Sequence, residues 1–197
     1  VGGECLHGVR PPGGERVRSD TLLGVRRVAV AGILRARARP HRPLDPGPLG
    51  RQGAELAETG ELAAAGAVAV SDDGDWVPDG ALMRHALAYA RTFGIPVISH
   101  CEDKTFIDDG AMNEGTVSTI LGLRGIPRLA EETAAARDIA LAEFTGARLH
   151  LAHISTAGSV DLVRAAKKKG IKVTAETAPH YFCLDDEMVR TFGTSYK

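Results

Sequence analysis

The chain is poor in several things that would have fixed its class at once. It has only three cysteines, Cys5, Cys101 and Cys183, an odd number set far apart, so a disulfide framework is excluded and a reducing cytoplasm is expected. No apolar run approaches the ~20 residues a bilayer-spanning helix needs. No basic start followed by a hydrophobic core and a small-residue cleavage site marks a secretory signal. A net charge of -1 gives no case for nucleic acid or a membrane surface as partner. Aromatic residues make up 5% and there is one Trp. No His-x-His pair and no Gly-x-Ser-x-Gly elbow occurs anywhere, which removes two of the most recognisable catalytic signatures.

What is present divides unevenly. Of 197 residues, 44% are apolar and 25% charged, the balance of a soluble globular protein. Residues 1–52 hold ten Arg, no Lys and four acids, a net of +6, and six of the ten prolines. One apolar segment there, Val28 to Leu34, could form a strand; the rest has no sustained helical or strand period. Residues 1–49 are read as an atypical Arg/Gly/Pro-rich segment, either a disordered tail or a stretch translated out of frame. Residues 53–197 carry a net of -7 and read as ordinary globular sequence.

From Gly53 a repeat emerges. Helices are expected over Gly53–Ala65, Gly80–Phe93, Glu131–Phe144 and Gly158–Lys169. The second should turn Leu82, Leu87, Ala88 and Phe93 to the core. Each helix ends near a glycine, Gly66, Gly94, Gly146 or Gly170, and an apolar strand begins within a residue or so. Glycine at that place takes the left-handed conformation that stops a helix and returns the chain to a strand. The stretch from Lys104 to Arg128 reads as a long loop, and the last strand should end near Pro179-His180. Alternation at this spacing implies βαβ units, a parallel sheet and a site at the strands' C-terminal ends.

The four strand ends read Ser71-Asp72-Asp73, Ser99-His100, His153-Ile154-Ser155 and Glu176 to His180. Each offers a carboxylate or an imidazole. An Asp and two His converging on one barrel mouth supply donors suited to Zn2+. Side chains alternate along a strand, so His150 and His153 fall on opposite faces if the strand is regular, and the one at the end is the ligand candidate. His150 then reads as a half-buried residue among apolar neighbours. Asp72 and Asp73 likewise diverge, and spacing does not choose between them. Cys101 reads as a packed small residue and Lys167-Lys168-Lys169 as a solvated helix end that complements the helix dipole.

Taken together and in order, five stretches resemble dihydroorotase, in its bacterial form within the amidohydrolase superfamily. They are Gly66–Gly74, Val97–Asp103, Met112–Gly115, Leu151–Ser159 and Thr174–Phe182. The resemblance covers residues 50–197, read as the central part of an amidohydrolase barrel. It implies an α/β fold, a (β/α)8 TIM barrel of which about half is present, with a two-zinc site at its mouth. It places the bridging ligand on Asp73 and the second metal on His100 and His153; His180 would lie near the pocket. Dihydropyrimidinase and allantoinase bridge with a carboxylated Lys, and no Lys stands at that strand end here. The implied reaction is zinc-dependent interconversion of N-carbamoyl-L-aspartate and dihydroorotate in pyrimidine biosynthesis, a hydrolase acting on cyclic amide C–N bonds. The implied partners are a small-molecule substrate and either further copies of the chain or a carbamoyltransferase.

Three departures bear on activity. The family's first-strand His-x-His is missing, its eighth-strand Asp is missing, and residues 1–49 do not resemble its matching segment. The expectation is an interior fragment that is inactive alone. Two competing readings are a non-catalytic barrel that binds a carbamoyltransferase and a hydrolase of another cyclic amide. A generic phosphate-binding barrel would leave Asp73, His100 and His153 scattered.

Overall fold

The computed structural model describes residues 56–72, 74–193 and 196. The Arg-rich segment 1–49, the Val28–Leu34 strand and Asp73 lie outside the described residues. Among those described, four strands, β1 (Val70–Ser71), β2 (Val97–Ser99), β5 (Leu149–Leu151) and β6 (Val173–Ala175), form one parallel sheet in the order β1-β2-β5-β6. Five longer helices lie between or before them: α1 (Thr59–Ala64), α2 (Gly80–Thr92), α3 (Thr116–Leu121), α4 (Leu129–Thr145) and α5 (Ala157–Lys168). A one-turn helix α6 (His180–Cys183) follows β6.

Local chemistry explains the element ends. Asp79 caps α2 by accepting the main-chain N–H groups of Ala81 at 2.7 Å and Leu82 at 3.1 Å. Thr156 caps α5 by accepting from Ser159 N at 3.3 Å. Lys167 and Lys168 fall in the last turn of α5, where cations complement the helix dipole. Gly66, Gly94, Gly146 and Gly170 all have positive φ, between 67° and 96°, so each switches the chain from helix to strand as expected.

The sheet register places the site. Val97 pairs with Leu149, Ile98 with His150 and Ser99 with Leu151, while Leu149 pairs with Val173. Val97, Ser99, Leu149 and Leu151 are buried under the helices; Ile98 and His150 point the other way and are half-buried. This is the alternation that separates a helix-covered face from a barrel interior. The helix side is filled by Met83, Leu87 and Ala90 of α2 and by Ala134, Ala135, Ile139 and Ala142 of α4. The alanines let α4 sit close to both α2 and α5, which flank it. Each buried Leu or Met contributes roughly 1.5–3 kcal/mol.

Several expectations are corrected. The first helix spans Thr59–Ala64 and not Gly53–Ala65: Leu56 to Glu58 precede it, and residues 53–55 lie outside the described set. In α2, Ala88 and Phe93 are exposed, and Met83, Ala86 and Ala90 join Leu87 in the core. The buried four are spaced three and four apart and share one helix face, from which Ala88 is turned away. Phe93 instead meets Tyr89 edge-on at 5.2 Å. The expected loop 104–128 holds α3 and a small parallel pair, β3 (Met112–Asn113) with β4 (Gly125–Ile126). The last strand stops at Ala175, and His180 opens α6 rather than ending a strand. No helix among the described residues is long and apolar enough to cross a membrane.

Candidate functional site at the strand ends

His100 stands just after β2 and His153 two residues after β5, and their ring centroids are 4.9 Å apart. The strand carrying His153 is not regular to its end. His153 itself has a φ of 38°, in the left-handed region that disfavours side chains. The face alternation expected between His150 and His153 therefore does not extend that far: the turn, not the strand, sets where the second imidazole points. His150 remains on the sheet, half-buried, with Nδ1 2.9 Å from Thr174 Oγ1.

Asp72 is buried at the end of β1 and belongs to the same cluster. Its carboxylate accepts the main-chain N–H of His100 at 2.9 Å and lies against the ring Nδ1. With Nδ1 protonated, its N–H donates to the Asp72 carboxylate and the Nε2 lone pair is left free. The Gly74 N–H, 3.2 Å from the same Nδ1, donates there only in the other tautomer, so Asp72 and Gly74 compete for that nitrogen. Asp72 is thus occupied in orienting His100. Asp73 lies outside the described residues. His180 is exposed on α6 against Tyr181.

Behind this mouth sits a buried carboxylate that spacing did not reveal. Asp138 of α4 accepts from Ser99 Oγ at 2.7 Å, Trp76 Nε1 at 3.1 Å, and Arg137 Nε and Nη2 at 2.9 and 2.7 Å. Arg137 also stacks on the Trp76 ring at 3.8 Å and donates to the Pro78 carbonyl at 3.0 Å. One side chain therefore ties α4 to the residue before His100 and to the loop after Asp72. Burial pushes the Asp138 carboxyl above its ordinary 3.8, against the pull of Arg137 and the donors. Burial, with Asp138 next, raises the neighbouring Cys101 thiol well above 9.0, which makes it an inert packed residue.

A second carboxylate, Glu131 in the first turn of α4, grips the turn after His153. It accepts from Ser155 N and Oγ at 2.9 and 2.6 Å and from Thr156 N and Oγ1 at 3.0 and 2.8 Å. Burial would raise its pKa, but hydrogen bonds from the Ser155 and Ser159 side chains and from the Thr156 and Ser155 main chain outweigh it and hold the carboxyl below the ordinary 4.5. The one hint in the sequence was the pair Glu131-Glu132 at a helix start; its target, 24 residues on, could not be read from it.

The donor set suits a borderline cation: two imidazoles side by side, one held from behind by Asp72. Among the described residues no three His, Cys, Asp or Glu side chains gather as a complete metal cage. The two imidazoles accordingly fit part of a coordination shell.

The chain resembles known proteins in both sequence and fold. A dihydro-orotase-like family model matches residues 33–159. The dihydroorotase of Syntrophobacter fumaroxidans is 60% identical over 148 residues, 75% of this chain and 34% of the relative. That of Syntrophotalea carbinolica is 56% identical, covering 75% and 35%. The chain thus spans about a third of the length of the curated relatives it matches. Among solved structures, a D-hydantoinase superposes with a TM-score of 0.53 at 26% identity, over 68% of this chain and 31% of its own. The L-hydantoinase (dihydropyrimidinase) of Arthrobacter aurescens gives 0.57 at 22%, over 70% and 33%. The parallel sheet with its helices on one face is therefore part of an amidohydrolase TIM barrel, and the chain belongs to the dihydroorotase-like family.

Proposed function

We propose that this chain carries the central part of a zinc-dependent dihydroorotase, the enzyme that interconverts N-carbamoyl-L-aspartate and dihydroorotate. The observation that supports this best is the approach of His100 and His153, from separate strands, to 4.9 Å between ring centroids. Identity of 56–60% to dihydroorotases supports the cyclic amide as substrate class. His100 and His153 would hold Zn2+ together with Asp73, while Asp72 keeps His100 Nε2 facing outward. When bound, the cation supplies a Lewis acid for the amide carbonyl and a nucleophile at neutral pH. The protein's own part is to hold two imidazoles side by side, His100 against Asp72, and to keep the strand ends rigid through Asp138. A reducing cytoplasm suits the free thiols of Cys101 and Cys183.

The ligand set in this chain is partial, because the sequence has no His-x-His pair. The chain by itself should therefore retain Zn2+ yet fail to turn over. The test is to load it with Zn2+ and follow dihydroorotate by its ultraviolet absorbance. Retained metal without turnover is expected. Metal-dependent ring opening of dihydroorotate would contradict the incompleteness, ring opening of hydantoin instead would contradict the substrate, and failure to retain Zn2+ would contradict the metal centre.

A further inference from the structure

The turn that bears His153 is built with more polar groups than a single imidazole requires. Its backbone sits at positive φ without glycine, a conformation that persists only where the surroundings enforce it. On either side of His153, Ala152 N donates to Ser99 O at 2.9 Å and Ile154 N to Glu176 O at 2.8 Å, and the Ile154 side chain is buried. On the downstream side all four polar groups of Ser155 and Thr156 that can donate do so to Glu131. The same helix end receives Glu132: a Cβ on Gly158 would collide with its carboxylate. Glu132 makes no hydrogen bond to Ser155 or Thr156; its Oε1 is buried without a partner among the described residues. Two adjacent acids of α4 thus meet the N-terminus of α5, and only one of them is bonded to the turn.

We infer that Glu131 is a positioning residue: by clamping Ser155 and Thr156 it fixes the strained turn at His153 and so keeps that imidazole beside His100. The clamp is a property of the metal-free chain, and only its purpose rests on the metal centre proposed above. It accounts for the serine and threonine that follow His153 in the motif: they serve the carboxylate of α4.

The experiment is nuclear magnetic resonance of the whole chain labelled at histidine, first without metal. The ring-to-ring Overhauser contact between His100 and His153 is the readout. It should be present in the unsubstituted chain and in Glu132→Gln, weaker in Glu131→Gln, whose amide keeps one acceptor, and lost in folded Glu131→Ala. Loss of the fold would displace the shifts of both rings and of the core methyls, so it is told apart from a swung-out His153. Should Glu131→Ala not fold, Ser155→Ala removes one hydroxyl donor to Glu131 without touching the Thr156 cap of α5, and weakening of the contact there gives the same support. Added Zn2+ should then shift His100 at the unsubstituted concentration, while His153 of Glu131→Ala needs about 10–100-fold more. A folded Glu131→Ala chain, or a folded Ser155→Ala chain where the first does not fold, that keeps the full His100–His153 contact overturns the clamp. An unsubstituted chain that shows the contact but whose rings ignore Zn2+ contradicts the metal centre and supports the clamp.

Discussion

Asp72 and His100 are joined twice, once through the main-chain N–H of His100 at 2.9 Å and once at its ring Nδ1. The first bond fixes the end of β2 against the end of β1. The second fixes which ring nitrogen faces the barrel mouth. Asp72→Asn preserves the volume and can still accept one bond, but its amide can also donate to Nδ1 and so reverse the tautomer. The expected outcome is a His100 whose nitrogen shifts report Nδ1 as the unprotonated atom, with a loss of Zn2+ affinity of about 10–100-fold. Nitrogen-detected spectra of the two chains check it.

His153 makes a separate, backbone-level prediction. At a φ of 38° a side chain is strained and glycine is not. His153→Gly should therefore be more stable than His153→Ala by about 1 kcal/mol, although both remove the same imidazole. Denaturant midpoints of the two variants decide this, and equal midpoints would contradict it.

The buried Asp138 should cost far more when removed. It is fully enclosed and paired with Arg137 at 2.7 Å. Breaking a buried charge pair from one side typically costs about 3–5 kcal/mol. Asp138→Ala should approach that range, because Ser99, Trp76 and Arg137 all lose an acceptor. Asp138→Asn keeps one oxygen and should lose less, measured by the same unfolding curves.

Glu131 gives the pH dependence its sign. Its folded-state value lies below the ordinary 4.5, so between the two values the unfolded chain binds more protons and stability rises with pH. The contribution is fully present above 4.5 and is lost as pH falls through the folded value. The stability gap between the chain and Glu131→Gln should accordingly hold near neutrality and close in acid. Unfolding curves over that range test it; a gap that widens in acid would contradict it.

Much of the scaffold was legible in the sequence because its signals are local. Gly94 and Gly146 mark helix ends by a conformation few other residues tolerate, and Val97 and Leu149 start strands three residues later. His100 and His153 were legible as strand-end imidazoles. What stayed hidden depends on contacts far apart in the chain. Asp138 meets Ser99 across 39 positions and Trp76 across 62, and nothing in its own helix distinguishes it from a solvated acid. Asp72 and Asp73 were equivalent by spacing, and only the bond to His100 gives Asp72 its role. The buried stripe of α2 was misjudged because Met83, Ala86, Leu87 and Ala90, spaced three and four apart, form the inner face, which leaves Ala88 and Phe93 turned outward. The short β3 and β4 were missed because two residues carry no period.

The central claim is that His100, His153 and Asp73 share one cation. The most direct measurement is competition for Zn2+ between the chain and a chromophoric chelator, repeated for His100→Ala, His153→Ala and Asp73→Ala. The account predicts about one tightly held Zn2+ per chain and an affinity at least ~10-fold weaker in each variant. Three variants that compete for Zn2+ as well as the unsubstituted chain would contradict it.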